Sequence, residues 1–363
     1  MPAIGFGQKV TGAGNSPDLT LNVTDGGDDD NATGTLRKRL QEAEAASKET
    51  PRKKVEIVIG EGVVVQRRAA EHIIKTKNLT ITGSRNSKIV SNQLYFDCRK
   101  ADNVLLRNLT FEGNPGVDED PKDAIFIDGA LGRKSIGFWI SHCRFEAYRD
   151  LNITLKATDL APVDNVAVPP LLITISDCFF HNADPDAFRD IGAISIAGVR
   201  DDSVDPNAPG NRRTNAYATV CFNMFETVRR RSPRSSGRCV VHAFDNVLEL
   251  YGGTTGDQRN GMESGSNGIL IAEANSFIAG TVPQTIKLST TPTLKGTLTI
   301  NDDDSTLKNT YGGGAVATAA AGTQVVIDDF YTARGIRPVP VVQKMTRDLG
   351  RTIKASAGPQ FQV

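Results

Sequence analysis

The sequence has no net charge, no closely spaced cysteine pair and no long apolar run, and each absence removes a class of protein. Its 42 Lys and Arg are matched by 42 Asp and Glu, so no chain-wide field draws in nucleic acid or a membrane surface, and any charge effect is local. Five cysteines fit neither a disulfide framework nor a zinc site, and buried thiols are expected. No stretch of about eighteen apolar residues spans a bilayer. The opening MPAIGFGQKVTGAG lacks the basic start and apolar stretch of a signal peptide, so the expectation is either a cytosolic chain or one whose leader has been removed. Neither nucleic acid nor membrane is expected as a partner, and the chain reads as a monomer.

At 363 residues with 39% hydrophobic content, the chain exceeds the size at which one compact core stops growing. Two domains or a repeat architecture remain, and strand-like runs of one shape recur. They are NLTITG at Asn78, NVLLRNLTF at Asn103, FWISHCRF at Phe138, LITISDCFF at Leu172, ATVCFNMF at Ala218, VHAFDNVL at Val241 and ILIAEANSF at Ile269. Aligned, they put Leu109, Cys143, Cys178, Asn223, Asn246 and Asn275 in one column, with Phe111, Phe145, Phe180, Phe225, Leu248 and Phe277 two residues on. Successive intervals of 34, 35, 45, 23 and 29 residues suit a right-handed parallel β-helix, whose coils keep their strands while insertions bulge at the turns. The aromatic column predicts a stack inside the solenoid, and the Asn column an amide ladder at a turn, with coils about 4.8 Å apart. Cys143 and Cys178 read as packed thiols in that column, with a stacked disulfide as the alternative.

Helix signals are confined to the ends. GTLRKRLQEAEAASKE from Gly34 predicts a cap helix over about residues 34–50, protecting the open edge of the first coil. The segment over about 330–363 reads as packing on or capping the solenoid, all within a single domain over 1–363. Asp159 to Pro170 and Val199 to Arg213 are rich in Pro, Asp, Asn and Gly and read as insertions between coils. The short run VRRRSPRSSGR from Val228 concentrates five arginines, a local charge in a neutral chain.

In order along the chain, these segments resemble the pectate and pectin lyases of polysaccharide lyase family one. GFGQKVTGAG, VTDGGDDDNATGTLRKRL and KKVEIVIGEGVVV resemble that family's opening strand, cap helix and first coil. NVLLRNLTFEG, DAIFIDG, FWISHCRF and TISDCFFH resemble the following coils, and RSPR with VHAFDN resembles its Arg-x-Pro-Arg and His-x-x-Asn-Asn segments. The resemblance implies β-elimination on a uronate polymer in an extracellular or periplasmic setting. The C5 proton beside the carboxylate is removed and the C4 oxygen leaves, which requires the carboxylate charge to be offset by cations or a metal.

By resemblance, Arg231 is the base and Arg234 a clamp on a substrate carboxylate. A guanidinium of ordinary pKa costs roughly 5.4 kcal/mol to neutralise at a pH of about 8.5, and cationic neighbours lower that cost. Strand alternation predicts Arg229 and Arg231 on one face and Arg230 on the other. The implied calcium ligands are Asp123 and Asp150, with Pro121 and Thr154 where further ligands are expected. Two carboxylates are few for an ion that takes six to eight oxygens. Calcium therefore stands beside a calcium-independent alternative, in which Arg149 and Lys156 replace the metal.

Other positions depart from the family. Ser141 stands where an aspartate is expected and Pro185 where a substrate-binding lysine is expected, for which Arg189 is the substitute. The acidic loop holds Asp184, Asp186 and Asp190 as further candidates for calcium, or Asp184 and Asp186 as the carboxylate pair of a glycoside hydrolase. A β-helix carbohydrate-binding protein without catalysis is the remaining alternative. His142 and His242 read as structural histidines, Trp139 as core or a shelf under a turn, and Asp128 as a turn residue.

Overall fold

The fold is a right-handed parallel β-helix. A computed structural model describes residues 4–29, 31–66, 71–113, 123–129, 136–148, 150–156, 171–182, 192–197, 216–237, 239–252, 260–265, 268–280, 285–288, 296–300, 308–312, 331–332 and 347–358. Both predicted insertions, Asp159 to Pro170 and Val199 to Arg213, lie outside them. Among the described residues the strands form three sheets of ten, eight and nine strands, with every pairing between coils parallel. Each coil gives one strand to each sheet, and alternate residues point inward. Ile57, Ile81, Leu106, Ile140, Ile175 and Val220 are fully buried along the ten-stranded sheet.

The two predicted columns are present and longer than expected. Phe111, Phe145, Phe180 and Phe225 stack with centroid separations of 5.1, 4.9 and 4.8 Å. Leu248 interrupts the stack in register, and Phe277 resumes it against Tyr311 at 5.5 Å. Such pairs contribute about 0.5–1.5 kcal/mol each beyond their buried area. In the amide ladder, Asn223 Nδ2 donates to Asn246 Oδ1 at 3.0 Å, Asn246 Nδ2 to Asn275 Oδ1 at 2.9 Å, and Asn275 Nδ2 to Asn309 Oδ1 at 3.0 Å. The residue before each ladder position is left-handed, as at His142, Asp177, Phe222, Asp245 and Ala274, which makes the tight turn that the amide side chains brace. All five cysteines are buried and unbridged. Burial raises the Cys98, Cys178 and Cys221 thiols well above their usual range, which leaves them unreactive.

Helix α1, Leu36–Ala46, starts where the Thr35 hydroxyl accepts from the Lys38 amide. Its buried Leu36, Leu40 and Ala43 cover the first coil. Helix α2, Arg347–Ser356, lies along the outside of the nine-stranded sheet, where Ile353 packs with Phe179, Met224 and Val247. Lys354 Nζ lies 2.7 Å from Glu226 Oε2. The N-terminal segment is stapled to the outside of the ten-stranded sheet. There the amides of Phe6, Gly7 and Ala13 donate to the hydroxyls of Thr219, Thr174 and Thr80 at 3.0, 2.9 and 2.9 Å.

Candidate active site

Four neighbouring strands of the eight-stranded sheet carry most of the described candidate residues: Asp123–Asp128, Leu151–Lys156, Gly192–Ala197 and Arg234–Ser236. Their alternate residues Ile125, Ile127, Ile153, Leu155, Ile194 and Ile196 are fully buried, so the intervening ones face outward. The register aligns Phe126, Thr154, Ser195, Arg234, Glu263 and Lys287 in one outward row across the coils.

Arg231 sits just before the last of these four strands, in the left-handed region with φ 57°. It belongs to none of the turn columns that repeat from coil to coil. Gly192 bridges to Arg230, and Ser195 pairs with Arg234, so three residue steps on one chain face four on the next. The additional residue is a bulge, which re-aims a side chain out of the regular ladder. The Arg231 carbonyl accepts from the Ile194 amide at 2.8 Å, and the Arg231 amide donates to Asn260 Oδ1 at 3.3 Å. The Ser232–Pro233 peptide is cis. The expected alternation of Arg229, Arg230 and Arg231 is corrected here. Arg229 and Arg230 are both buried, at 2% and 3% exposure, because the strand begins only at Arg234 and two-residue alternation does not govern the segment before it.

The structure brings Arg231 and Asp150 together, with Arg231 Nη1 3.8 Å from Asp150 Oδ1. The approach crosses an intervening coil at Gly192. The Gly192 amide donates to the Asp150 carbonyl at 2.7 Å, and a Cβ built on Gly192 would meet Arg231 Cβ at 3.2 Å. Asp123 is adjacent, since its strand partner is Leu151. Asp123 is buried, with Oδ1 accepting from the Leu151 amide at 3.2 Å. Among the described residues, no group of three or more His, Cys, Asp or Glu could hold a metal ion. The Thr154 hydroxyl oxygen is buried with no hydrogen-bond partner among the described residues. Thr154 is in register with Phe126, three residues along from Leu151, the partner of Asp123, so the two carboxylates are the candidate oxygen donors for a hard cation, with most of its coordination left to other ligands.

Arg234 faces an internal carboxylate. Its strand partner is Glu263, and Arg234 Nε lies 3.5 Å from Glu263 Oε1. Lys156 is exposed at the far end of the strand that follows Asp150, in register with Asp128, at most roughly 20 Å from Asp150 by strand rise. It shares the sheet with the Arg231–Asp150 pair and faces another part of it. Arg149, Arg189, Pro121, Pro185, Asp184, Asp186 and Asp190 lie outside the described residues.

Gly192, Asn260 and Glu263 escaped the sequence-based analysis. A single glycine, amide or carboxylate carries no spacing signal, and each acquires its position only through the register between coils. The remaining expectations have plain outcomes. His242 is structural, with Nδ1 2.8 Å from Tyr331 Oη and Nε2 2.9 Å from Glu273 Oε2. Asp128 closes its strand and is hydrogen-bonded by the Tyr95 hydroxyl. Trp139 lies half-buried on the ten-stranded sheet, beneath the N-terminal segment.

Fold and site together define a parallel β-helix protein with a charged patch on one sheet, where an arginine leaves the regular ladder within 3.8 Å of a carboxylate. The chain belongs to the pectate lyase family, whose sequence profile matches residues 43–359. Pectate trisaccharide-lyases of Thermotoga maritima and Thermotoga sp. strain RQ2 are each 28% identical over 213 residues, 58% of this chain and 50% of theirs. The chain thus spans about half the length of the curated relatives it matches. Among solved structures, a pectate lyase of Bacillus sp. N165 in complex with trigalacturonate superposes with a TM-score of 0.63 at 14% identity, covering 98% of each chain. The major allergen of cedar pollen superposes with a TM-score of 0.65 at 18% identity, covering 99% of this chain and 93% of its own. At these identities the superpositions speak to the fold.

Proposed function

We propose that this chain is a polysaccharide lyase that cleaves a uronate polymer of the pectate type by β-elimination, with Arg231 as the base. The observation that carries the proposal is the placement of Arg231. In a member of the pectate lyase family, an arginine outside every repeated turn column projects from a bulge to within 3.8 Å of Asp150. Arg231 takes the C5 proton, the C5–H electrons form the C4–C5 double bond, and the C4–O bond breaks as the leaving oxygen is protonated. Each cleavage therefore yields one reducing end and one unsaturated end.

Asp123 and Asp150 would hold calcium. When bound, it offsets the substrate carboxylate and so acidifies the neighbouring C5 proton. Arg234, on the outward row of the same sheet, moves between Glu263 and a substrate carboxylate. The Asp150 carboxylate favours the charged form of Arg231 and its cationic sequence neighbours oppose it. A polymeric substrate goes with an extracellular or periplasmic site of action.

The test is ultraviolet absorbance of the unsaturated product on pectate and on methylated pectin, with and without calcium. Arg231→Lys is expected to lower the rate by about 10²-fold or more while substrate binding persists. No absorbance rise on any uronan, or a variant retaining a tenth of the rate, overturns the assignment. The Arg234–Glu263 contact favours one second reading, a β-helix protein that binds acidic polysaccharide without cutting it. Affinity for a uronan that remains unshortened would establish that instead.

A further inference from the structure

A concave site lies on the ten-stranded sheet, away from the sheet that carries Arg231. The N-terminal segment arches over the outer face of that sheet and leaves a cavity of about 740 Å³. Trp139 forms part of its lining and Leu105, its partner on the neighbouring strand, lies beside it. Arg107 and Ser141 form the next outward pair along the same two strands, which puts Arg107 diagonal to Trp139, about 8 Å away between Cα atoms. Asn108, His142, Gln8 and Asn15 complete a polar rim.

The site is built rather than incidental. Trp139 Nε1 donates to Ser176 Oγ at 3.1 Å, which fixes the plane of a half-buried indole. The overlying wall is held by the threonine staples and by the Thr11 and Gly12 amides, which donate to Asn103 Oδ1 at 2.8 and 3.0 Å. Gly12 has φ 56°, and a Cβ there would lie 2.4 Å from Thr80 Oγ1 and 2.7 Å from Leu105 Cβ. The wall is therefore pressed onto the sheet beside the cavity, and the cavity stays open next to it. None of the described lining residues carries a carboxylate. Arg107 uses Nη2 on Glu56, at 2.9 Å, and its side chain is 45% exposed, which leaves other donors of the guanidinium fork for a ligand.

A fixed indole and a guanidinium line the same cavity, with amide and imidazole groups around them; Arg107 is turned towards Glu56, two strands away on the side opposite Trp139, so it serves a ligand in the cavity by swinging from that partner. The combination suits an acidic sugar. The ring face stacks on indole, the carboxylate meets the guanidinium, and the hydroxyls meet the amides. We infer that this cavity is a non-catalytic binding site for an acidic oligosaccharide, with Trp139 as the stacking platform and Arg107 as the carboxylate partner. The site would hold a uronate chain on one sheet while another part of the polymer lies along the Arg231 site on the eight-stranded sheet.

Trp139 is the only tryptophan of the chain, so its emission reports this cavity directly. Titration of the whole chain with trigalacturonate, in the presence of a calcium chelator, is expected to give a saturable change in tryptophan emission. Arg107→Gln should weaken that binding about tenfold and leave the melting temperature unchanged. Glu56→Gln, which releases the guanidinium from its internal partner, should tighten it. Arg231→Lys should leave the response intact, and a neutral galactose trisaccharide should produce none. No emission change, a response equal in wild type and Arg107→Gln, loss of the response in Arg231→Lys, or an equal response to the neutral sugar would each overturn the inference. The readout requires no turnover, so it stands or fails separately from the lyase assignment.

Discussion

Arg231 and Asp150 meet across a coil that has no side chain between them, with Nη1 3.8 Å from Oδ1 and Gly192 in the intervening position. The pair joins the residue proposed as base to one proposed to hold calcium, so the two roles are separable by substitution. Asp150 is 36% exposed at its side chain, whereas Asp123 is buried and spends one oxygen on a backbone amide.

Asp150→Asn keeps the shape and removes the charge. Calcium affinity in oxygen sites is tuned by the number of charged ligands, so the calcium concentration that half-saturates the lyase rate is expected to rise about tenfold or more. The maximal rate should be recovered in part at high calcium, and the circular dichroism spectrum should not change. Calcium titration of product absorbance measures this. An unchanged half-saturation point would remove Asp150 from the metal site.

Gly192→Ala tests the close approach itself. The added methyl would lie 2.8 Å from Leu151 Cδ2, 3.0 Å from the Arg230 carbonyl and 3.2 Å from Arg231 Cβ. The backbone contact cannot yield as a flexible side chain can, so the bulge has to move. Overpacking of this kind costs about 1–3 kcal/mol, and a displaced base costs rate as well. Expected are a lower melting temperature and a rate down by about tenfold or more, seen by thermal unfolding and by product absorbance. A normal rate would show that Arg231 needs no fixed position relative to this coil.

The architecture was legible in the sequence because a solenoid writes its register into the chain. Once Phe111, Phe145, Phe180 and Phe225 align, the neighbouring strands follow, and the structure pairs those residues as aligned. The ladder was traced to Asn275 and continues to Asn309, and the stack continues to Tyr311. Both extensions belong to a strand motif too short to recognise by pattern, Asn309 just before it and Tyr311 within Thr310–Gly312. The site was legible only in part. Arg231 carries a local motif, whereas its conformation depends on a bulge measured against another coil. Glu263 emerges only when its strand is laid beside Arg234.

A final prediction concerns stability under acid. His72 is buried beneath α1, with Nε2 2.8 Å from Asn92 Nδ2 and 3.6 Å from Asp28 Oδ1. Asp28 is itself gripped by Arg37 through bonds of 2.8 and 3.0 Å. Burial lowers the His72 pKa to about 4; the Asp28 charge opposes that shift and the Arg37 charge adds to it. The unfolded chain, with an ordinary imidazole, therefore binds a proton more readily than the folded one. The stabilisation from neutral His72 is complete above a pH of about 6.5, falls as pH drops towards about 4, and is gone below that. The full span is on the order of 3 kcal/mol. His72→Gln retains an acceptor for Asn92 and has no proton to gain. Its melting temperature is expected to fall less than that of wild type between about pH 7 and pH 4.5, with the difference between the two curves isolating His72 from the carboxylates that titrate in the same range. Parallel curves would mean that the imidazole under the cap helix takes up its proton as readily in the folded chain as in the unfolded one.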